Sequence, residues 1–282
     1  MRSWLFVPAD SERKITKALA SQADVVILDL EDSVAVENKA IARTIVRQLL
    51  ENRPTTSAKV YIRVNALDSG LTASDLEGLG TAKPDGFMLP KTNSGKDVEQ
   101  FTTLSKTALP IIAITTETAA SLFTLGTYAN ISAPLTAMTW GAEDLSSELG
   151  SQQTRDDEGH LSDPYRLARS LCLAGARAAQ VEPIDTIYAN FRNMAGFKRE
   201  CLDAARDGFT GKMAIHPDQV ALINQIFTPS AQVIEQANQI VEVFAKSPGT
   251  GVVSINGQMY DIPHLKRAEK LLQRALLYNV TN

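Results

Sequence analysis

The sequence predicts an α/β fold: a TIM (β/α)8 barrel with a C-terminal helical and hairpin lid extension. Three observations predict it. Short β-branched runs alternate with amphipathic helical patterns almost from the first residue, the mark of a parallel sheet built from βα units. The apolar runs suited to strands number eight. The 282 residues exceed an ordinary single domain but suit a barrel with an appendage.

The elements follow in chain order. Strands are expected over SWLFVP (3–8), VVILDL (25–30), KVYIRV (59–64), GFMLP (86–90), PIIAIT (110–115), LTAMTW (135–140), DTIYAN (185–190) and KMAIH (212–216). Helices are expected after each, for example ERKITKALASQ, ENKAIARTIVRQLLE, KDVEQFTTLSKTA and PYRLARSLCLAGARAAQ, whose apolar residues recur three and four apart. The stretch AITTETAAS (113–121) reads as a buried strand running straight into a helix. PDQVALINQIF and SAQVIEQANQIVEVFAKS follow the eighth strand, then the break PGTG, the hairpin VVSINGQMYD with Asn-Gly at its turn, and the helix PHLKRAEKLLQRALL. The barrel is therefore assigned to residues 1–228 and the extension to 229–282. An open doubly wound sheet is disfavoured, because PADSER rather than a glycine-rich phosphate turn follows the first strand.

Composition bounds the function. Hydrophobic residues at 44% and charged residues at 21% describe a globular chain able to bury a large core. The net charge of −4 comes from mixed signs with no Lys/Arg block, which argues against nucleic acid and anionic membrane as partners. No segment offers about 18 uninterrupted apolar residues and the start lacks a signal-peptide pattern, so a cytoplasmic protein is expected. Cys172 and Cys201 are isolated within helical patterns and are expected to be buried, reduced thiols.

In such barrels the active site lies at the carboxyl ends of the strands. That rim is rich in polar residues here: Asp29, Glu31 and Asp32 after the second strand, Arg63 and Asn65 after the third, Lys91 after the fourth, Glu117 after the fifth, Glu143 and Asp144 after the sixth, Asn190 after the seventh and His216 after the eighth. Glu117 and Asp144, past neighbouring strands, offer two hard oxygen ligands of the kind that suits Mg²⁺, which keeps open positions for oxygens of an anionic substrate. Equally, Glu117 could be an acid favoured by a helix N-terminus, with Thr116 as cap. Arg63 should face an anion at the rim, or else close an internal salt bridge to the acids of DLED. Asp29, Glu31 and Asp32 read as acceptors for Arg63 and Lys91 rather than as further metal ligands, which would overcharge the site. A Schiff-base role for Lys91 is disfavoured because neighbouring carboxylates raise its pKa. His216 reads as a packed strand-end histidine and His160 as solvent-exposed.

Together these residues resemble the citrate lyase beta-subunit and malyl-CoA lyase family of CoA-ester lyases. RSWLFVPADSERK, DLEDSV, YIRVNAL, LPKT, TTETA, TWGAEDL, GFTGKMAIHPDQV and INGQMYDIPHLKRAEKLL resemble its motifs in the right order, from residue 2 to about 272. The resemblance implies a TIM barrel, commonly a homotrimer, that uses Mg²⁺ to cleave or form a carbon–carbon bond in a 3-hydroxyacyl thioester of coenzyme A. By position it implies Glu117 and Asp144 as metal ligands, Arg63 as the arginine facing the substrate anion, and Asp261 as a catalytic acid carried by a C-terminal lid to a neighbouring subunit. Arg13, Lys14 and Lys212 correspond to regions that hold the CoA moiety, and Asp29, Glu31, Asp32, Asn65, Lys91, Ala142 and Glu143 to substrate and cofactor contacts. The family's usual glycine after FVP is Ala9 here.

The reaction these features imply is retro-Claisen cleavage of a malyl-, citramalyl- or citryl-CoA thioester to acetyl-CoA and an α-keto acid. A malyl-CoA thioesterase would use the same site. A subunit acting on an acyl group tethered to an acyl-carrier protein within a citrate lyase complex is a further alternative.

Overall fold

The computed structural model describes residues 1–278. Eight parallel strands close into a barrel in sequence order: β1 (Ser3–Pro8), β2 (Val25–Asp29), β3 (Lys59–Arg63), β4 (Gly86–Leu89), β5 (Ile111–Ile114), β6 (Leu135–Thr139), β7 (Glu182–Asp185) and β8 (Gly211–Ala214), with β8 returning to β1. The helices between them are α1 (Glu12–Leu19), α2 (Lys39–Glu51), α3 (Thr72–Leu79), α4 (Gly95–Ser105), α5 (Ala142–Leu149), α6 (Asp163–Ala178) and α7 (Met194–Asp207), with α8 (Asp218–Phe227) after β8. The TIM barrel expected from the sequence is the fold observed.

The strands alternate side chains with period two, so one set points into the barrel. That set forms the interior: Trp4, Val25, Ile27, Tyr61, Met88, Ile112, Ile114, Ala137, Ile184 and Met213, with Phe6 and Ile187 packed on it. Continuing the same parity along β2 and β3 brings Asp29 and Arg63 to the inward face, and the two are direct partners in the ladder. A charged pair at the top of an apolar barrel is thus written into strand register.

Two sequence expectations need correction. The seventh strand is Glu182–Asp185, not 185–190. Pro183 reads as a strand breaker, whereas in the ladder it needs only its carbonyl, which accepts the N–H of Thr210 at 2.9 Å. TIYAN, despite its strand-like pattern, leaves the sheet. The second correction follows β5, where two short 3₁₀ helices, Ala120–Phe123 and Leu125–Tyr128, stand in place of an α-helix. Hydroxyls three residues apart feed back to the backbone here: Ser121 Oγ donates to the Thr118 carbonyl at 2.6 Å, Thr124 Oγ1 to that of Ser121 at 3.1 Å and Thr127 Oγ1 to that of Thr124 at 2.7 Å. These local bonds compete with the longer α-helical pattern.

The chain divides into two compact units, residues 1–224 and 225–282. In the second, α9 (Ala231–Lys246), the hairpin β9 (Val252–Ile255) and β10 (Gln258–Asp261), and α10 (Ile262–Leu277) enclose a small core of Ala237, Ile240, Phe244, Val253, Tyr260 and Ala268. Asn256 and Gly257 take φ of 52° and 79°, the left-handed pair that a two-residue hairpin turn requires. Among the described residues no helix is long and apolar enough to cross a membrane.

Candidate active site

The barrel rim collects six acids, Asp29, Glu31, Asp32, Glu117, Glu143 and Asp144, and two bases, Arg63 and Lys91. Arg63 donates from Nε and Nη2 to the two carboxylate oxygens of Asp29, both at 2.6 Å, and its Nη1 lies 2.9 Å from Glu31 Oε2. The internal salt bridge foreseen for Arg63 therefore exists. Its guanidinium also lies over the Phe6 ring, 4.8 Å from the centroid. Asp29 additionally accepts the N–H groups of Glu31 at 2.9 Å and Ser33 at 3.1 Å. Burial works against its charge, yet the Arg63 charge and these bonds hold its carboxyl below the usual range.

Lys91, two residues past the end of β4, sits in the left-handed region with φ of 51°. That turn aims its backbone N–H at Glu117 Oε2, 2.6 Å away. Its ammonium reaches Glu31, Asp32 at 2.9 Å and Asp144 at 3.4 Å. Burial lowers the lysine pKa, but hydrogen bonds to the acids outweigh it and the net direction is upward. A permanently charged lysine is a poor amine nucleophile, so the Schiff-base role stays disfavoured.

Glu117 differs from every other acid here. It is 4% exposed, and the hydrogen bond it accepts comes from the Lys91 backbone N–H. Its pKa is pushed up to about 8, first by burial and then by the charges of Asp144 and Glu31. The Arg63 cation that could neutralise it is already engaged by Asp29 and Glu31. A buried carboxylate facing other carboxylates, without a cation in contact among the described residues, fits a hard divalent ion. Among the described residues no three or more His, Cys, Asp or Glu side chains form a metal-type cluster; Glu117 and Asp144 are two carboxylates lining one cavity, and Mg²⁺ commonly takes only one or two.

Gly141, which precedes α5, makes this placement sterically possible. A Cβ there would stand 2.6 Å from Glu117 Cγ and 2.8 Å from its Oε1. In the sequence this glycine stands out only as part of TWGAEDL. Its signal was the position before a helix whose first turn carries Glu143 and Asp144.

A cavity of about 180 Å³ joins these groups. Its polar side holds Arg63, Glu117 and Asp144, with Ala142 and Glu143 at the start of α5, and its apolar side holds Phe6, Trp140, Ile187 and Met213. Larger cavities occur, but the one of about 350 Å³ along α6 and α7 is walled by paired charges such as Arg155–Glu200 and Arg169–Asp207 and lacks the acid cluster.

The remaining sequence-predicted residues divide. Glu31 and Asp32 contact Lys91 as expected. Asn65 is not brought to the cavity: it is buried, accepting from Lys39 Nζ at 2.7 Å and donating to the Leu30 carbonyl at 2.9 Å and Asp75 at 2.8 Å, so it braces the loops behind Arg63. Lys212 is fully buried on the outer face of the wall, paired with Asp185 and Glu200 at 2.7 Å each, which removes it as a CoA contact. Arg13 and Lys14 are exposed on the first turn of α1. Ala9 is buried without a positive φ, so no glycine is required there. His216 stacks on Phe191 at 4.9 Å, and His160 lies in an exposed loop. Both cysteines are buried free thiols. Asp261 belongs to the second unit, where it caps α10.

Comparison with known proteins gives the family. The family model described as HpcH/HpaI aldolase/citrate lyase matches residues 2–217, and one described as a C–C bond lyase of the TIM-barrel fold matches 159–280. A (3S)-malyl-CoA thioesterase of Cereibacter sphaeroides is 35% identical over 97% of this chain and 94% of its own length. The citrate lyase subunit beta of Haemophilus influenzae is 35% identical over 97% and 96%, and the mitochondrial citramalyl-CoA lyase of Mus musculus 31% over 97% and 86%. The crystal structure of protein CitE from Mycobacterium tuberculosis, in complex with magnesium, acetoacetate and coenzyme A, is similar with a TM-score of 0.82 at 33% identity, covering 97% of both chains.

Proposed function

The chain belongs to the HpcH/HpaI aldolase/citrate lyase family, and on that premise we propose that it is a Mg²⁺-dependent CoA-ester lyase. Its reaction cleaves or forms the carbon–carbon bond of a 3-hydroxyacyl-CoA such as malyl-, citramalyl- or citryl-CoA, with acetyl-CoA and an α-keto acid on the other side. The observation that carries this reading is Glu117, a buried carboxylate lacking a cation in contact, beside Asp144 and Arg63 at the carboxyl end of the barrel.

Glu117 and Asp144 would hold the metal, which supplies Lewis acidity at the substrate oxygens. Asp29 and Glu31 fix the plane of the Arg63 guanidinium, so its charge faces the cavity without reorganising as negative charge develops. Lys91 balances Glu31, Asp32 and Asp144. The backbone N–H groups of Ala142 and Glu143 at the start of α5 suit the substrate carboxylate. Phe6, Trp140, Ile187 and Met213 exclude water from the opposite wall. Arg13 and Lys14, exposed on α1, are the proposed contacts for the CoA phosphates. Asp261 is the proposed proton carrier: in cleavage its O–H protonates the enolate carbon of the departing acetyl thioester, and in condensation its carboxylate takes that proton back. Residues 229–282 act as a lid on a neighbouring subunit of a homotrimer in this scheme. Two buried cysteines left unpaired agree with work in the reducing cytoplasm.

The 35% identity to a malyl-CoA thioesterase supports a second outcome at the same site, in which water takes the acyl group. Equal identity to a citrate lyase beta subunit supports action on an acyl-carrier protein. Mass spectrometry of the purified protein with Mg²⁺ and malyl-, citramalyl- and citryl-CoA, with and without EDTA, separates them. EDTA-sensitive formation of acetyl-CoA and keto acid is the expected result. Free CoA with intact hydroxy acid would select the thioesterase, and turnover only after adding carrier would select the complex subunit.

A further inference from the structure

Asp261 ends β10 and caps α10, whose third residue is His264. The backbone N–H of His264 lies 3.4 Å from Asp261 Oδ1, an ordinary capping bond. A second contact is far closer: His264 Nδ1 stands 2.5 Å from the same oxygen. Two lone pairs repel at that distance, so the contact calls for a shared proton, and with Asp261 ionised the donor is His264 Nδ1. The Asp261 backbone N–H lies farther from Nδ1, at 3.3 Å, the reciprocal contact of a capping box. Tyr260 fixes the ring from the side, edge to face at 5.4 Å and 80°, and its own hydroxyl is tied to Gln258 at 3.1 Å and Gln236 at 3.4 Å. The pair forms a capping box, the Asp261 carboxylate facing the His264 N–H and the imidazole facing the Asp261 N–H, and the direct contact between the two side chains goes beyond what that box requires.

We infer that His264 is a positioning residue for the reaction: its Nδ1–H holds one oxygen of Asp261 in place and leaves the other free to exchange a proton with the thioester carbon. This rests on the reading of Asp261 as proton carrier. His264 keeps its own proton throughout. In condensation the acetyl C–H breaks and an O–H forms on Asp261, the electron pair passes through the enolate into the new C–C bond, and the former keto oxygen takes a proton from solvent; cleavage reverses each change. The hydrogen bond from His264, acting chiefly, holds the Asp261 carboxyl below its usual range and so favours the proton-accepting form.

The test uses the full chain with malyl-CoA and Mg²⁺, comparing wild type, His264→Ala, His264→Asn and Asp261→Asn. His264→Ala should lower kcat by roughly 10- to 100-fold with KM nearly unchanged, the range for losing a group that orients a functional side chain. His264→Asn, whose amide can donate from the Nδ1 position, should restore most of it, while the backbone capping bond survives in every variant. Wild-type kcat in His264→Ala, beside a disabled Asp261→Asn, would overturn the inference and leave Asp261 in its role. Wild-type kcat in Asp261→Asn would overturn the Asp261 reading itself. A measurement independent of turnover is ¹⁵N-histidine NMR, simplified by a chain with only 3 histidines. A protonated Nδ1 on His264 that shifts in Asp261→Asn supports the inference, and an unprotonated Nδ1 refutes it.

Discussion

Glu117 is a carboxylate without a cation of its own, and two predictions follow from that. Its pKa, about 8 in the fold, lies above the 4.5 of an ordinary glutamate. Between those values the folded state binds more protons than the unfolded one, so its contribution to stability falls as pH rises from about 4.5 to 8. A divalent cation offsets the loss by stabilising the ionised form. Melting curves should therefore show Mg²⁺ raising Tm more at pH 8 than at pH 5, and Glu117→Gln should flatten that difference. Equal Mg²⁺ effects at both pH values would remove Glu117 as the metal ligand. The second prediction concerns Gly141, whose φ of −121° suits any residue. Gly141→Ala should thus keep the fold, with Tm within a few degrees, while its Cβ displaces Glu117 and lowers kcat/KM by about 10²-fold, the order expected for misplacing a catalytic group by about an ångström. Activity titrated against Mg²⁺ should also demand more metal, and unaltered Mg²⁺ activation would sink the steric argument.

At the scale of elements, the barrel wall is pinned to its helices by buried charge. Lys212 on β8 pairs with Asp185 on β7 and Glu200 on α7, while Asp185 also accepts from the Trp140 indole at 2.8 Å and meets Arg169 of α6 at 3.3 Å. Removing one member leaves buried charge uncompensated, so Lys212→Met should cost about 3–5 kcal/mol of unfolding free energy in urea titration. Titration of CoA into the native variant should give unchanged affinity; a selective loss of CoA binding at full stability would restore Lys212 as a ligand. This pair also shows where the sequence stopped being legible. Seven of the eight strands, the hairpin and the rim acids could be read because period-two and period-3.6 patterns are local. The CoA role of Lys212 is implied only by the family resemblance, and no linear pattern says that its side chain takes the outer wall face, where Asp185 and Glu200 hold it. Asn65 was misjudged in the same way. Its position after β3 was right, but its partners Lys39 and Asp75 come from helices α2 and α3. Gly141 and His264 escaped because their importance is a contact, with Glu117 and Asp261 respectively, and not a residue type.

At the scale of the whole molecule, the residues proposed for metal and proton chemistry fall in different compact units, Glu117 and Asp144 within 1–224 and Asp261 within 225–282. If the extension of one chain serves the barrel of another, a chain carrying Glu117→Ala keeps a sound extension and a chain carrying Asp261→Asn keeps a sound barrel. Neither homo-oligomer should turn over. Co-expressed in equal amounts, they should recover about a quarter of wild-type activity, the chance that a sound barrel meets a sound extension when subunits of a cyclic oligomer mix at random. Differential tags purify the mixed species, and light scattering gives its subunit number, expected to be three. A mixed oligomer that stays inactive would mean that each barrel uses the extension of its own chain, because every chain in the mixture then carries one defect in its only site. The same experiment separates assembly from chemistry: mixed trimers that form without regaining turnover would keep the oligomer and discard the exchanged lid.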